Sequence, residues 1–117
     1  MAESKTTNAG NIRVLRRGRE THRHSLEQLE GEGAPREITI EAGGLVMGRA
    51  ADTQLRLASK RVSPLHAFFR VRGTDCILRD NDSRNGVYLN GVKVYSAVLR
   101  EGDLIQVAES LFVYHED

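Results

Sequence analysis

What most constrains this chain is how often its apolar runs are cut short. From residue 24 onward none is longer than the four residues Leu111–Tyr114. Gly, Asp or Asn stands between most of them: Gly31-Glu32-Gly33, Gly43-Gly44, Gly73, Asp80-Asn81-Asp82, Asn85-Gly86, Asn90-Gly91 and Gly102. A core helix needs apolar residues at i, i+3, i+4 and i+7 over at least about ten residues. No stretch between these breaks keeps that spacing for long enough. Strands of three to seven residues fit them, and Asn-Gly and Gly-Gly are turn dipeptides. The pattern predicts an all-β chain, a β-sandwich of about ten to eleven short strands.

The pieces can be named. Ile38 and Ile40 alternate with polar neighbours in Arg36–Glu41, the period of a half-buried strand. Leu45–Gly48, Gln54–Leu57, Ala67–Arg72, Cys76–Arg79, Val87–Leu89, Val92–Val94, Leu104–Val107 and Leu111–Tyr114 follow as expected strands. Ser25–Leu29 is apolar at its second and fifth positions and too short to assign from period alone.

Before this body comes a leader of a different texture. Residues 1–22 are polar except around Ile12, Val14 and Leu15, and the expectation is a disordered basic tail followed by one domain over 23–117. Charge divides the same way, with a net +4 over residues 1–24 and −3 over the rest. A basic leader can attract nucleic acid, anionic lipid or an acidic partner. The acidic body, read as lacking basic and aromatic residues interleaved on consecutive strands, argues against nucleic acid.

Several classes of protein drop out. No apolar run approaches the roughly 18 residues of a membrane-spanning helix, and the first residues lack the apolar core of a secretory signal. The single cysteine, Cys76, cannot form an internal disulfide or a cysteine zinc cage. A cytoplasmic location and a buried, inert thiol are expected. His22, His24 and His115 are scattered with no H-E-x-x-H spacing, so no metal and no cofactor are expected.

Three motifs remain that carry chemistry, each at the edge of an expected strand. They are Gly48-Arg49, Ser63-Pro64-Leu65-His66, and Asp80–Gly86 running into Val87–Gly91. Arg49 offers a planar fork of donors for phosphate or carboxylate. Ser63 offers a hydroxyl at a turn, and Asn85 an amide that both donates and accepts, as a peptide backbone requires. Ser63 and His66 have no acid placed to orient the histidine and no G-x-S-x-G elbow, so no catalysis is expected. The set describes a cleft for an oxyanion and an extended peptide.

In this order and spacing the motifs, together with Glu101–Ile105, resemble the forkhead-associated (FHA) domain, a β-sandwich family that recognises phosphothreonine in peptides. The resemblance covers residues 24–117, about four fifths of the chain. It implies a phosphate held between Arg49 and Ser63, with Asn85 gripping the peptide main chain. It makes Gly48, Gly86 and His66 structural support, with His66 bracing the Ser63 loop. It sets Arg61 where side chains beyond the phosphothreonine are read. The implied role is a non-catalytic adaptor in Ser/Thr-kinase signalling, its partner a phosphothreonine protein such as a kinase or kinase substrate. Three leader threonines, Thr6, Thr7 and Thr21, also suggest a phosphorylated leader occupying the domain's own site.

Two positions depart from the family. Pro64 stands where a polar or basic residue is common and removes up to two phosphate donors. Val87 stands where threonine is common. Arg84, beside Asn85, compensates if its side chain turns inward. The alternative implied by Pro64 is an FHA-fold scaffold that binds its partner without phosphate.

Overall fold

A computed structural model describes residues 22–117, so the expectations for the leader, its three threonines included, lie outside the described residues. Eleven strands follow one another: β1 His24–Glu30, β2 Arg36–Ile40, β3 Leu45–Gly48, β4 Leu55–Arg56, β5 Ala67–Arg72, β6 Asp75–Asp80, β7 Val87–Leu89, β8 Val92–Val94, β9 Ser96–Val98, β10 Leu104–Val107 and β11 Ser110–Glu116. They form a six-stranded sheet in the order β2-β1-β11-β10-β7-β8 and a five-stranded sheet in the order β4-β3-β5-β6-β9. The pair β3–β4 is parallel and the other pairs are antiparallel. No helix occurs among the described residues.

Alternation builds the core. Ala67 and Phe69 on β5, Cys76 and Leu78 on β6, and Phe112 and Tyr114 on β11 point inward and are buried. Leu26, Met47 and Ile105 pack against them between the sheets. Each such Leu, Ile, Met or Phe contributes about 1.5–3 kcal/mol relative to exposure. Burial pushes the Cys76 thiol up to about 12, which fits its expected role as an inert hydrophobe.

Two readings of the sequence need correction. Ser25–Leu29, left unassigned, lies within β1; its inward positions are His24, Leu26 and Gln28, and the register shifts between Gln28 and Glu30. Two of those three inward side chains are polar, which hides the period of two. Gln28 donates to the Glu32 carbonyl at 2.9 Å and accepts from Arg36 Nε at 2.6 Å, while His24 bonds the Tyr114 hydroxyl through Nδ1 and leaves Nε2 without a partner among the described residues. β9 was not expected, because Ser96-Ala97-Val98 has no large inward residue to mark it. Basic and aromatic residues do not interleave on consecutive strands, as read, yet one aromatic shares a face of β5 with two arginines. The linear order Ala67–Arg72 separates them, but the pleat sets Phe68, Arg70 and Arg72 together on the outside of the five-stranded sheet.

Candidate functional site

The three motifs converge at one end of the sandwich, on the loops after β3, before β5 and before β7. Main-chain bonds dock the first two: Arg49 N–H donates to the Ser63 carbonyl at 3.0 Å, Ala50 N–H to Pro64 at 3.1 Å, and His66 N–H to Met47 at 2.8 Å. This explains Gly48. A Cβ there would sit 2.1 Å from the Pro64 carbonyl oxygen, so only glycine lets the backbones approach. It also gives Pro64 a place. Without a side-chain donor, it uses its carbonyl to hold the Arg49–Ala50 segment.

His66 is fully buried and joins the second loop to the third. Its Nδ1 accepts from the Ser63 N–H at 2.9 Å. Nε2 therefore carries the ring proton and donates to the Gly86 carbonyl, also at 2.9 Å. The bracing role implied for this ring extends to both loops. With both nitrogens engaged by main chain, His66 is not a base for the Ser63 hydroxyl. Gly86 has φ +85, a left-handed conformation that its lack of a side chain permits. The third loop is held internally: the Ser83 hydroxyl bonds the Asp80 carboxylate and accepts from Gly86 N–H at 2.9 Å. Asp80 thus ends β6 and anchors the loop that follows it.

Ser63, Arg84 and Asn85 meet across these loops. Arg84 N–H donates to Ser63 Oγ at 3.0 Å. The hydroxyl proton is then free to point outward to an oxyanion. The Asn85 amide donates to the Arg61 carbonyl at 2.7 Å, which leaves its Oδ1 and second N–H for an extended peptide. Arg49 Nε donates to the Val62 carbonyl at 3.0 Å, and this orients the rest of the fork.

These contacts bound a shallow pocket of about 60 Å³ lined by Arg49, Lys60, Arg61, Val62, Ser63, Pro64 and Arg84. Four cationic side chains and one hydroxyl line it, with no carboxylate. Arg84 does border the pocket, as the compensation for Pro64 requires. Asn85 is not part of the lining and stands beside it, tethered through Arg61. Lys60, next to Arg61 in sequence, is a fourth cation. Val87 is buried in the core and takes no part. Larger hollows elsewhere bring together none of the three motifs.

The chain is a two-sheet β-sandwich with a basic pocket on the loops at one end, and the comparisons give its family. The FHA domain family model matches residues 45–108, more than half of the chain. The chain belongs to the FHA family. It is 31% identical over 113 residues to the transcriptional regulatory protein EmbR of Mycobacterium tuberculosis, covering 95% of this chain and 29% of EmbR. It is 39% identical over 84 residues to the glycogen accumulation regulator GarA of Mycolicibacterium smegmatis, covering 72% of this chain and 53% of GarA. Among solved structures, an FHA domain studied for phosphothreonine-dependent interactions matches with a TM-score of 0.72 at 29% identity, over 80% of this chain and 95% of that one. M. tuberculosis EmbR in complex with a low-affinity phosphopeptide matches with a TM-score of 0.74 at 26% identity, over 80% of this chain and 24% of EmbR. The chain thus spans less than a third of EmbR and about half of GarA.

Proposed function

We propose that the sandwich of residues 23–117 is a non-catalytic module that binds a phosphothreonine peptide and acts as an adaptor in Ser/Thr-kinase signalling. The observation that carries this reading is the carboxylate-free pocket in which Arg49, Lys60, Arg61 and Arg84 surround the Ser63 hydroxyl. A phosphate near pH 7 carries between one and two negative charges and three strong acceptors, which this set complements. Arg49 and Ser63 hold the phosphate, with Lys60 and Arg84 supplying charge where Pro64 has no donor. Asn85 pairs with the peptide main chain. Arg61 reads an acidic side chain beyond the phosphothreonine, a preference worth about 0.2–1 kcal/mol at an exposed pair. The phosphopeptide bound to EmbR supports the reading by relationship.

Calorimetry with matched peptides tests it. Phosphothreonine binds, unphosphorylated threonine does not, and phosphoserine is weaker by about 0.8 kcal/mol for one lost methyl. Equal affinity for the phosphorylated and unphosphorylated threonine peptides would replace this reading with the phosphate-independent scaffold that Pro64 suggests.

A further inference from the structure

The outward face of the five-stranded sheet carries a second, separate constellation. The β5–β6 register sets Phe68 opposite Arg79, Arg70 opposite Ile77 and Arg72 opposite Asp75. The pleat turns all of them outward, where an antiparallel sheet is ordinarily polar. They frame a hollow of about 430 Å³ in which Phe68, Ile77 and Tyr95 lie among Arg70, Arg72 and Arg79. Tyr95 is 67% exposed, and Val98, opposite Ile77 on the edge strand β9, is 43% exposed. Among the described residues none of these three guanidiniums donates a hydrogen bond or forms an ion pair with a carboxylate. Arg36, Arg49 and Arg56, by contrast, each donate to the chain itself. Asp75 offsets one of the three charges, which leaves the face at +2.

We propose that this face docks an acidic, unphosphorylated segment of a partner protein, one that carries a large apolar side chain. The apolar side chain fills the hollow between Phe68, Ile77 and Tyr95. Carboxylates on either side meet Arg70, Arg72 and Arg79, whose planar forks match carboxylate geometry. Aromatic residues and arginine around a desolvated pocket are the composition of interface centres. Charge complementarity selects an acidic occupant, and the hollow selects protein over nucleic acid. A single strand of nucleic acid asks for open aromatic planes along a track of cations. Here the Arg79 guanidinium lies over the Tyr95 ring at 5.9 Å, and the cations ring a pocket. The face shares no residue with the pocket around Ser63, so the two surfaces can be filled together.

The test uses the full chain, isotope-labelled for NMR, and a short dye-labelled peptide of Glu and Ser with one central Phe. Matched probes replace Glu by Gln, replace Phe by Ser, or substitute an oligothymidylate strand. The expected result is movement of the Phe68, Ile77 and Tyr95 signals by the acidic peptide, with those of Ser63 and Asn85 unmoved. Either peptide replacement weakens binding. Arg70→Glu with Arg79→Glu weakens it about tenfold or more, while the dissociation rate of a phosphothreonine peptide stays as in the unaltered chain. If charge reversal disturbs the fold, Arg70→Gln with Arg79→Gln carries the same expectation. The proposal is overturned if the face signals stay still at saturating peptide, if the Gln peptide binds as well, if the variants bind undiminished, or if the thymidylate strand binds this face more tightly.

Discussion

At the scale of single residues, the pocket combines residues that line it with residues that hold its loops. Arg49 is exposed, and among the described residues its side chain is held through Nε alone, at the Val62 carbonyl. Arg49→Ala is expected to remove a charge-assisted bond worth about 1.5–3 kcal/mol and to raise the phosphopeptide dissociation constant about ten- to a hundredfold. Its melting temperature should stay close to that of the unaltered chain. An unchanged constant in calorimetry would take Arg49 out of the site. His66→Ala is the converse. It opens a cavity and strips the partners from the Ser63 N–H and the Gly86 carbonyl, so stability should fall by about 3 kcal/mol or more in urea titrations. Weaker phosphopeptide binding with an unmoved urea midpoint would contradict the bracing role. The residue types of this site were legible in the sequence through the family order and spacing of Gly48-Arg49, Ser63 with His66, and Asn85-Gly86; singly, each reads as an ordinary surface or turn residue. Their mutual contacts were not legible. Asn85 reaches the Arg61 carbonyl across 24 residues of sequence, and His66 reaches Gly86 across 20. Both bonds end on main-chain carbonyls, which no residue letter marks.

At the scale of elements, strands were legible wherever the inward positions are apolar. They were lost where polar residues turn inward, as in β1, or where the strand is a three-residue edge, as in β9. The outer ends of β1 and β11 are held together by charge. His115 on β11 bonds Glu101 at 2.7 Å and Glu27 on β1 at 3.0 Å. Those bonds, to Glu101 first and then Glu27, raise the His115 pKa above the usual histidine range. Its contribution to stability is therefore complete below about pH 6.5 and is lost as pH rises through the raised value. Glu101 works in the opposite sense. The Glu116 N–H first, and His115 second, hold its carboxyl below the usual range, so its share is lost on strong acidification. The cluster is strongest between the two. His24 opposes it, because burial and then His22 lower its pKa, and stability falls as it is forced to charge. Comparing the chain with His115→Gln cancels the His24 effect. The gap in urea midpoints should be larger at about pH 6 than at about pH 9. A gap of equal size at both would show that the cluster adds nothing.

At the scale of the whole molecule, a net charge of +1 conceals strong polarisation. Residues 45–86, which contribute β3 to β6 and every loop of the pocket, carry a net +4. The remainder of the body, residues 25–44 and 87–117, carries −7. Such a distribution gives the sandwich a positive end that holds the pocket, and a positive face beside it. Under the proposed function, this end attracts an approaching phosphopeptide and turns it before contact, which raises the association rate more than it slows dissociation. Residues 1–22 add a further +3 of the same sign. Two outcomes are expected in stopped-flow binding of a labelled phosphothreonine peptide. The association rate constant should fall steeply as ionic strength rises and the screening length shrinks from about 30 Å at 0.01 M to about 8 Å at 0.15 M. A chain beginning at Arg23 should associate more slowly than the full chain at low salt and equally fast at high salt, with the same dissociation rate in both. An association rate indifferent to salt would mean the polarisation plays no part in encounter. A faster dissociation in the shortened chain would mean instead that the leader touches the bound peptide.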